Sequence, residues 1–397
     1  MQKYDVAVIG GGAAGLACAV SLKKSERNLS VIIVEAADRA GKKIAATGNG
    51  QGNVSNADLS AKHYHGSGAY LAEKLCCEGL YNPLDLFDFL FVKDKLGRIY
   101  PAGKQASALS DCLLRKVKNA GVTLLLSTRV TAISRGFKLT LSDGTSVTAD
   151  RVVIAAGGKA QKQFNTDGNS YELAKSLGHG VTALQPSLVQ LKCGTQHIRT
   201  LKGVRTECKV TATDGDGKAL GSFTGDVIFT DYGVSGNAIF YVSAFCAGVK
   251  GVTLSLEFLP DVSKEEIARD VERKIAEGYE QSELLCGTLH NQLGRAVMRR
   301  CRSCDPNTVA AAVKNFTLDV EGSLGFDYAQ VTKGGVPASE VDENLQSKIV
   351  PNLYFAGEVL DVDGDCGGYN LHWAIASGMH VARAIARSIA NSFNTYD

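Results

Sequence analysis

Apolar residues along the chain change their spacing several times, and each change predicts an element. Tyr4–Ile9 and Val31–Val34 are short unbroken runs rich in valine and isoleucine, the pattern of strands buried on both faces. Between them Ala13 to Lys24 carries apolar residues at helical spacing, so the chain opens with a predicted strand–helix–strand unit of about 30 residues. Residues 38–68 are polar and glycine-rich, and loops of that length tend to be functional or disordered. Helical spacing resumes at Tyr70–Cys77, Leu84–Phe91 and Ala106–Ala120, the last stopped by Gly121. Short strands are expected at Val122–Leu126, Val130–Ser134, Phe137–Leu141 and Ser146–Thr148, with Ser142-Asp143-Gly144-Thr145 as a hairpin turn. Arg151–Ala156 reads as a further buried strand, ending in Gly157-Gly158.

From about residue 187 the texture changes. Alternating segments at Leu188–Lys192, Glu207–Thr213 and Ser222–Val227 predict an antiparallel sheet or small barrel, with Gly215 and Gly217 in a polar turn. Ser263–Ala276 opens a helical stretch in which Ser263 and Glu266 have capping-box spacing. Helices are expected to continue through Gln292–Arg300 and Asn307–Lys314. Buried-strand character returns at Leu353–Ala356. A long helix then runs from about Asn370 to Ala390, with Leu371, Ile375, Gly378, Ala382, Ile385 and Ile389 along one face. The layout is one α/β nucleotide-binding domain interrupted by an insertion.

Composition narrows the class. A length of 397 residues implies more than one domain, and 45% hydrophobic with 21% charged residues argues against disorder. A net charge of +2 gives no broad field for nucleic acid or an anionic membrane. No run approaches the roughly 18 apolar residues of a membrane span. Lys3 is the only early basic residue and Tyr4–Ile9 leads straight into glycines, so no secretory signal is expected and the location expected is cytoplasmic. The 11 cysteines are scattered, odd in number and without four-ligand zinc spacing, which favours reduced thiols and no metal.

Gly10-Gly11-Gly12-Ala13-Ala14-Gly15 places glycines at 10, 12 and 15 between a predicted strand and a predicted helix, the context a dinucleotide fingerprint requires. Gly12 lets backbone approach a pyrophosphate, and the helix start offers unpaired N–H groups and a positive dipole end to the phosphates. Glu35 ends the second strand twenty residues after Gly15, the spacing of the acid that binds ribose hydroxyls. Two later stretches bear on which dinucleotide binds. Thr148 to Gly157 resembles the "ATG" strand of FAD proteins of the glutathione-reductase type. Leu353-Tyr354-Phe355-Ala356-Gly357-Glu358 resembles their late motif, in which an acid meets the ribityl or pyrophosphate region. Their order favours FAD over nicotinamide. Gly367-Gly368-Tyr369-Asn370, just before a long helix, sets bare amides where the electron-rich pyrimidine end of a flavin can dock.

With these motifs in place the chain resembles the BaiN/YhiN-like flavoproteins, a family that includes 3-dehydro-bile acid Δ4,6-reductases and aminoacetone oxidases. The matching stretches are Gly41 to Gly50, Asn53 to Asn56, Gly97 to Pro101, Val331 to Val336 and Tyr354 to Leu371, so the resemblance spans nearly the whole chain. It implies a Rossmann-like, glutathione-reductase-type FAD domain over residues 1–186 and 329–397. The insertion at 187–328 is expected to be an antiparallel β-domain with a helical subdomain at about 262–314. It further implies FAD contacts at Gly10, Gly12, Ala13, Ala14, Gly15, Glu35, Ala36, Lys42, Lys43, Asn49, Gly50, Asn53, Val54, Ser55, Val130, Ala156 and Gly157. At the isoalloxazine end it adds Gly357, Glu358, Asp363, Gly368, Tyr369, Asn370 and Leu371. The chain departs from the family pattern at Gln51-Gly52, where Arg-Cys is common, at Asp231 and Asn237, where His and Pro are frequent, and at His372, where Gln is frequent.

An FAD enzyme of this kind transfers two electrons through flavin N5. No second GxGxxG lies in strand–helix context, so NAD(P)H is expected only as a transient electron donor in the substrate cleft. The resemblance implies NAD(P)H-dependent reduction of a C=C bond conjugated to a ketone in a steroid-like or bile-acid-like substrate, or oxygen-dependent oxidation of an aminoketone. His372 is the first candidate for proton transfer, because imidazole titrates near neutral pH; orienting Tyr369 is its alternative role. Tyr232 and Asp231 come second. Cys366 is either a helix-start thiolate or a small residue needed for close approach. Cys301 and Cys304 have dithiol spacing without thioredoxin-like context. From another class come an RNA-binding or tRNA-modifying flavoprotein, suggested by Arg295, Arg299, Arg300 and Arg302, and a redox sensor. A small-molecule partner is expected, a nucleic acid is not, and no oligomeric state is implied.

Overall fold

Valine and isoleucine lose few side-chain conformers in an extended chain, and where they run unbroken the strand is covered on both faces. β1 (Gln2–Ile9) and β2 (Val31–Val34) are such strands, with Val6, Val8 and Ile33 fully enclosed. They pair in parallel, joined by α1 (Ala13–Ser25). The computed structural model describes residues 2–394, with side chains to residue 391.

The long polar stretch after β2 is built from short pieces: α2 (Lys42–Ala46), β3 (Ser55–Asn56) and β4 (Tyr64–His65). α3 (Ala69–Ala72) continues as a π-helical turn, Glu73–Cys77. The helix expected at Leu84–Phe91 does not form. Pro83 starts a single 3-10 turn that stops at Leu86, and Phe91 opens β5 (Phe91–Lys93), paired with β6 (Arg98–Pro101). Phe87, Phe89 and Phe91 pack together with ring centroids 5.3 to 5.9 Å apart. Their spacing has the strand period of two, which the helical reading overrode.

α4 (Ser107–Asn119), β7 (Thr123–Leu125), β8 (Val130–Ser134) and β9 (Lys138–Leu141) form where the spacing predicts them. The strands expected at Ser146–Thr148 and Arg151–Ala156 are one, β10 (Ser146–Ile154). The polar interruption at Asp150 does not break it, because the Asp150 carboxylate reaches out to Lys3 on the adjacent β1 at 2.8 Å. α5 (Asn169–Ser176) and the short β11 (Gln185–Ser187) follow.

Pro186–Gln330 is a compact unit of its own. Six antiparallel strands close a barrel in the order β12 (Leu191–Cys193), β15 (Gly233–Ser235), β14 (Ala219–Phe229), β13 (Arg205–Thr213), β16 (Thr253–Phe258), β17 (Phe316–Ser323). The Gly215–Gly217 segment is the β13–β14 turn. α6 (Asn237–Cys246) lies on β14. It escapes a periodicity reading because its sequence is apolar nearly all round. Ser263 caps α7 (Lys264–Ala276) with the full box, its Oγ accepting from Glu266 N at 3.2 Å while the Glu266 carboxylate accepts from Ser263 N at 2.9 Å. α8 (Asn291–Cys301) and α9 (Pro306–Lys314) complete the helical piece, with Ile267, Val271, Leu293, Val297, Val309 and Val313 inside.

The chain then returns to the first unit through β18 (Val331–Lys333), β19 (Leu353–Phe355), β20 (Asp363–Gly364) and α10 (Tyr369–Asn394). Five parallel strands, β7-β2-β1-β10-β19, make the main sheet, and β9 and β8 continue antiparallel from the first part of β10. This is the Rossmann order. α10 packs along α1, and the two backbones approach so closely at Gly378 that a Cβ there would stand 2.3 Å from Ala14 O.

Candidate active site

Parallel strands in this order place ligands beyond their carboxyl ends, at the point where the order reverses. The ends of β1, β10 and β19 meet there. A Cβ on Gly10 would strike Ala155 O and Ala156 Cα at 2.6 Å, and one on Gly357 would stand 2.9 Å from Ala14 Cβ. The glycine turn, Ala156-Gly157 and Gly357-Glu358 are therefore in mutual contact. Gly12 caps α1 without any side-chain partner, and nothing lies within 4 Å where its Cβ would be. Open space over bare helix-start amides is what a pyrophosphate needs. Glu35 turns back onto the glycine turn, accepting from Gly11 N at 2.6 Å and Ala37 N at 2.7 Å. Its carbonyl accepts from Thr128 N at 3.0 Å, which brings the strand start holding Val130 alongside.

Glu358 Oε2 accepts from Lys43 Nζ at 3.0 Å and Glu358 Oε1 from Thr332 N at 2.8 Å, so the Lys43 charge is shared with a carboxylate rather than left for phosphate alone. Lys42 pairs instead with Asp38. Asn49 and Gly50 lie exposed on the turn after α2. Ala36 is half-buried at the end of β2.

The second focus is the start of α10. Gly368 has φ +103°, and a Cβ there would collide with Ser55 O at 2.4 Å and Asn53 Oδ1 at 2.7 Å, so the segment Asn53-Val54-Ser55 lies against the double glycine. Asn370 clasps Gly364 through both its amide atoms, at 2.8 and 2.7 Å. Leu371 is buried. His372, 2% exposed, has Nδ1 2.8 Å from Ser55 Oγ. Three side-chain atoms here are buried without partners among the described residues: Asn53 Oδ1, Asp363 Oδ1 and His372 Nε2. A buried polar atom left unpaired costs about 1–3 kcal/mol. Three of them in one neighbourhood fit a polar-edged ring such as isoalloxazine, which would pair with them.

The electrostatics revise the proton-transfer expectations. Burial pushes the His372 imidazole down to about 4, so it is a neutral hydrogen-bonding group near neutral pH and not an acid. The unfolded chain takes up a proton below about 6.5 that this folded site refuses until about 4. Stability therefore falls as pH drops through that window, by about 3 kcal/mol in full. His372→Gln is expected to flatten the acid limb of a denaturant-unfolding profile; an unaltered limb would contradict the burial. Asp231 is exposed and bound to Lys202 at 2.7 Å, which holds its carboxyl below the usual range. Tyr232, half-buried in the barrel unit, contributes its carbonyl to Cys193 N at 3.0 Å. Desolvation pushes the Cys366 thiol up to about 11, which opposes a helix-start thiolate. Cys301 and Cys304 are free, with the Cys301 thiol raised by burial.

Sequence reasoning missed the histidines. His63 and His65, flanking Tyr64 at β4, converge on Asp365. An alternating His-x-His beside a strand pairing with Asp363-Gly364 was the available signal.

The chain is 34% identical to the 3-dehydro-bile acid delta(4,6)-reductase of Clostridium scindens, over 96% of this chain and 98% of that one. It is 26% identical to the ribosomal RNA dihydrouridine synthase of Escherichia coli, over 96% and 98%. Among solved structures it resembles the 3-ketosteroid delta1-dehydrogenase of Sterolibacterium denitrificans, with a TM-score of 0.50 at 13% identity, covering 98% of this chain and all of that one. The FrdA subunit of E. coli quinol fumarate reductase gives 0.51 at 16%, over 99% and 72%. These two likenesses concern the fold. The HI0933-like protein Rossmann domain model matches residues 4–384, and the chain belongs to that family of FAD-binding oxidoreductases.

Proposed function

We propose that this FAD-dependent oxidoreductase reduces a carbon–carbon double bond conjugated to a ketone, in a steroid-like or bile-acid-like substrate, with NADH or NADPH as electron donor. The observation that carries this reading is end-to-end similarity to a bile-acid reductase at 34% identity, against 26% for the RNA-acting relative. When bound, FAD supplies two-electron chemistry at N5 of its ring.

The chain's own groups then divide the work. Gly10, Gly12, Ala13, Ala14 and Gly15 present the α1 amides to the pyrophosphate. Glu35, with Ala36 and Val130 beside it, takes the adenosine end. Lys43 and Glu358, already an ion pair, hold the middle of the cofactor between Ala156-Gly157 and Gly357. Asn53, Val54, Ser55, Asp363, Gly368, Tyr369, Asn370 and Leu371 form the ring end. His372, fixed by Ser55, completes that edge as a neutral hydrogen-bonding group.

The arginine cluster gives little support to an RNA-directed reading. Arg299 is engaged with Thr200 at 2.7 Å, and Arg300 lies over the Phe316 ring at 4.9 Å while bonding Thr317. Two of the four are thus occupied within their own unit.

The reading is tested under argon. NADH or NADPH is expected to bleach the yellow protein, and a 3-keto-4-ene steroid to restore the colour. Bleaching by aminoacetone, with recovery only on admitting oxygen, would instead identify an amine oxidase.

A further inference from the structure

The proposed reduction consumes a proton, so the site needs a route by which one is replaced. One set of titratable groups lies beside the Gly367-Gly368-Tyr369 turn. The His63 ring stacks on Tyr369, centroids 4.4 Å apart. Its Nε2 is 3.0 Å from Asp58 Oδ2, and its Nδ1 is 2.8 Å from Asp365 Oδ2. The other Asp365 oxygen, Oδ1, is 2.8 Å from His65 Nε2. Side-chain exposure runs 53% at Asp58, 13% at His63, 2% at Asp365 and 26% at His65. A continuous chain of four titratable groups thus runs from exposed Asp58 through the enclosed Asp365 carboxylate to His65, whose backbone pairs with Asp363 at the ring end of the site.

We propose that Asp58, His63, Asp365 and His65 conduct protons into the catalytic site, an inference that rests on the alkene-reductase reading above. Saturating the double bond adds two electrons and two protons. One hydrogen arrives as hydride, whose electron pair comes from the reduced nicotinamide; the other arrives as a proton, replaced from water. A ring with a carboxylate at each nitrogen, as in His63, passes a proton by gaining it on one side and losing it on the other. Asp365 holds both rings to fixed nitrogens, and Asp365 N also donates to His63 O at 3.0 Å, which locks the register. The charged groups that face His65 are Asp365, Asp363 and Lys333, and Asp363 in turn faces Asp361. Asp365, hydrogen-bonded to its ring, raises the His65 imidazole above its ordinary value. Asp58 is held ionised at the outer end by His63, Lys62 and Ser60.

A purely structural clasp between residues 58–65 and 363–369 would use the same bonds, so the test separates the two. FAD-loaded wild type, Asp365→Asn and His65→Gln are reduced anaerobically with NADPH, then mixed with either a 3-keto-4-ene steroid or ferricyanide. Reoxidation by the steroid needs a proton delivered by the enzyme, whereas two equivalents of ferricyanide take two electrons and release the flavin N5 proton, so no proton uptake is required. Both variants are expected to slow the steroid reaction about 10²-fold with a larger solvent deuterium isotope effect. Ferricyanide reoxidation should stay unchanged, and free imidazole should partly restore His65→Gln. Equal slowing with both acceptors, or no slowing with the steroid, overturns the path while leaving the reductase reading intact. A wild type that reduces no enone overturns both. Should Asp365→Asn fail to fold, His65→Gln, at the partly exposed end, carries the same comparison.

Discussion

Gly378→Leu is expected to leave little folded protein and no bound FAD. The crossing of α1 and α10 has no room for a side chain: its first carbon would lie 2.3 Å from Ala14 O and 3.1 Å from Cys18 N. Both are backbone atoms inside a helix, so neither can rotate away. Overpacking against movable side chains costs about 1–3 kcal/mol, and here the helices themselves must part. That is a large share of a domain stability of about 5–15 kcal/mol. Ala14 also belongs to the glycine turn, so the displacement reaches the cofactor site directly. Thermal unfolding followed by circular dichroism should show a melting point lowered by more than about 10 °C, or no transition at all. Gly103→Ala, where nothing lies within 4 Å, should stay within about 0.5 kcal/mol of the parent. A Gly378→Leu protein that melts with the parent would mean that α10 does not lie on α1 in this way.

Asp363→Asn is expected to act in opposite directions on the empty and loaded protein. Asp363 is 1% exposed, and its burial pushes the carboxyl from 3.8 up to about 6, against the opposing pull of His65 and Lys333. The folded state therefore binds this proton more tightly than the unfolded chain. The resulting stability cost is absent below about pH 4, grows as pH rises and is complete above about pH 6. It amounts to about 3 kcal/mol. Removing the charge should raise the denaturation midpoint of FAD-free protein at pH 7.5 and leave it nearly unmoved at pH 4. In the loaded protein the same change removes the anionic acceptor whose Oδ1 has no partner among the described residues, so FAD should dissociate more readily on dilution. Equal midpoints at pH 7.5 would show that the carboxyl is not strained by burial.

Most of the nucleotide-binding frame was legible in the sequence, because parallel strands and their glycine turn carry local signals. The Val31–Val34 run, the Gly10 to Gly15 turn and Glu35 need no distant information. What escaped was set by tertiary context. Asp150 looks like a strand break until Lys3 on the neighbouring strand is seen to take its charge. The Phe87, Phe89 and Phe91 alternation competes with a helical reading that only Pro83 and the pairing of β5 with β6 defeat. The roles of His372 and Asp231 turned on burial and on Lys202, neither of which a linear reading supplies. His63 and His65 gained their partner from 300 residues downstream.

The discontinuity of the first unit bears on how the protein is made. Its central strand β10 emerges from the ribosome before about 145 residues of barrel and helices, and β19 and α10 come only after them. At about 5–20 residues per second, the interval is roughly 7–30 s. Throughout it the α10-facing side of α1 and one edge of β10 are uncovered, while the barrel already has every strand it needs once β17 is out. The middle of the gene should thus yield the first protease-resistant fragment during translation, and the nascent amino-terminal half should be a client for chaperones that shield apolar surface.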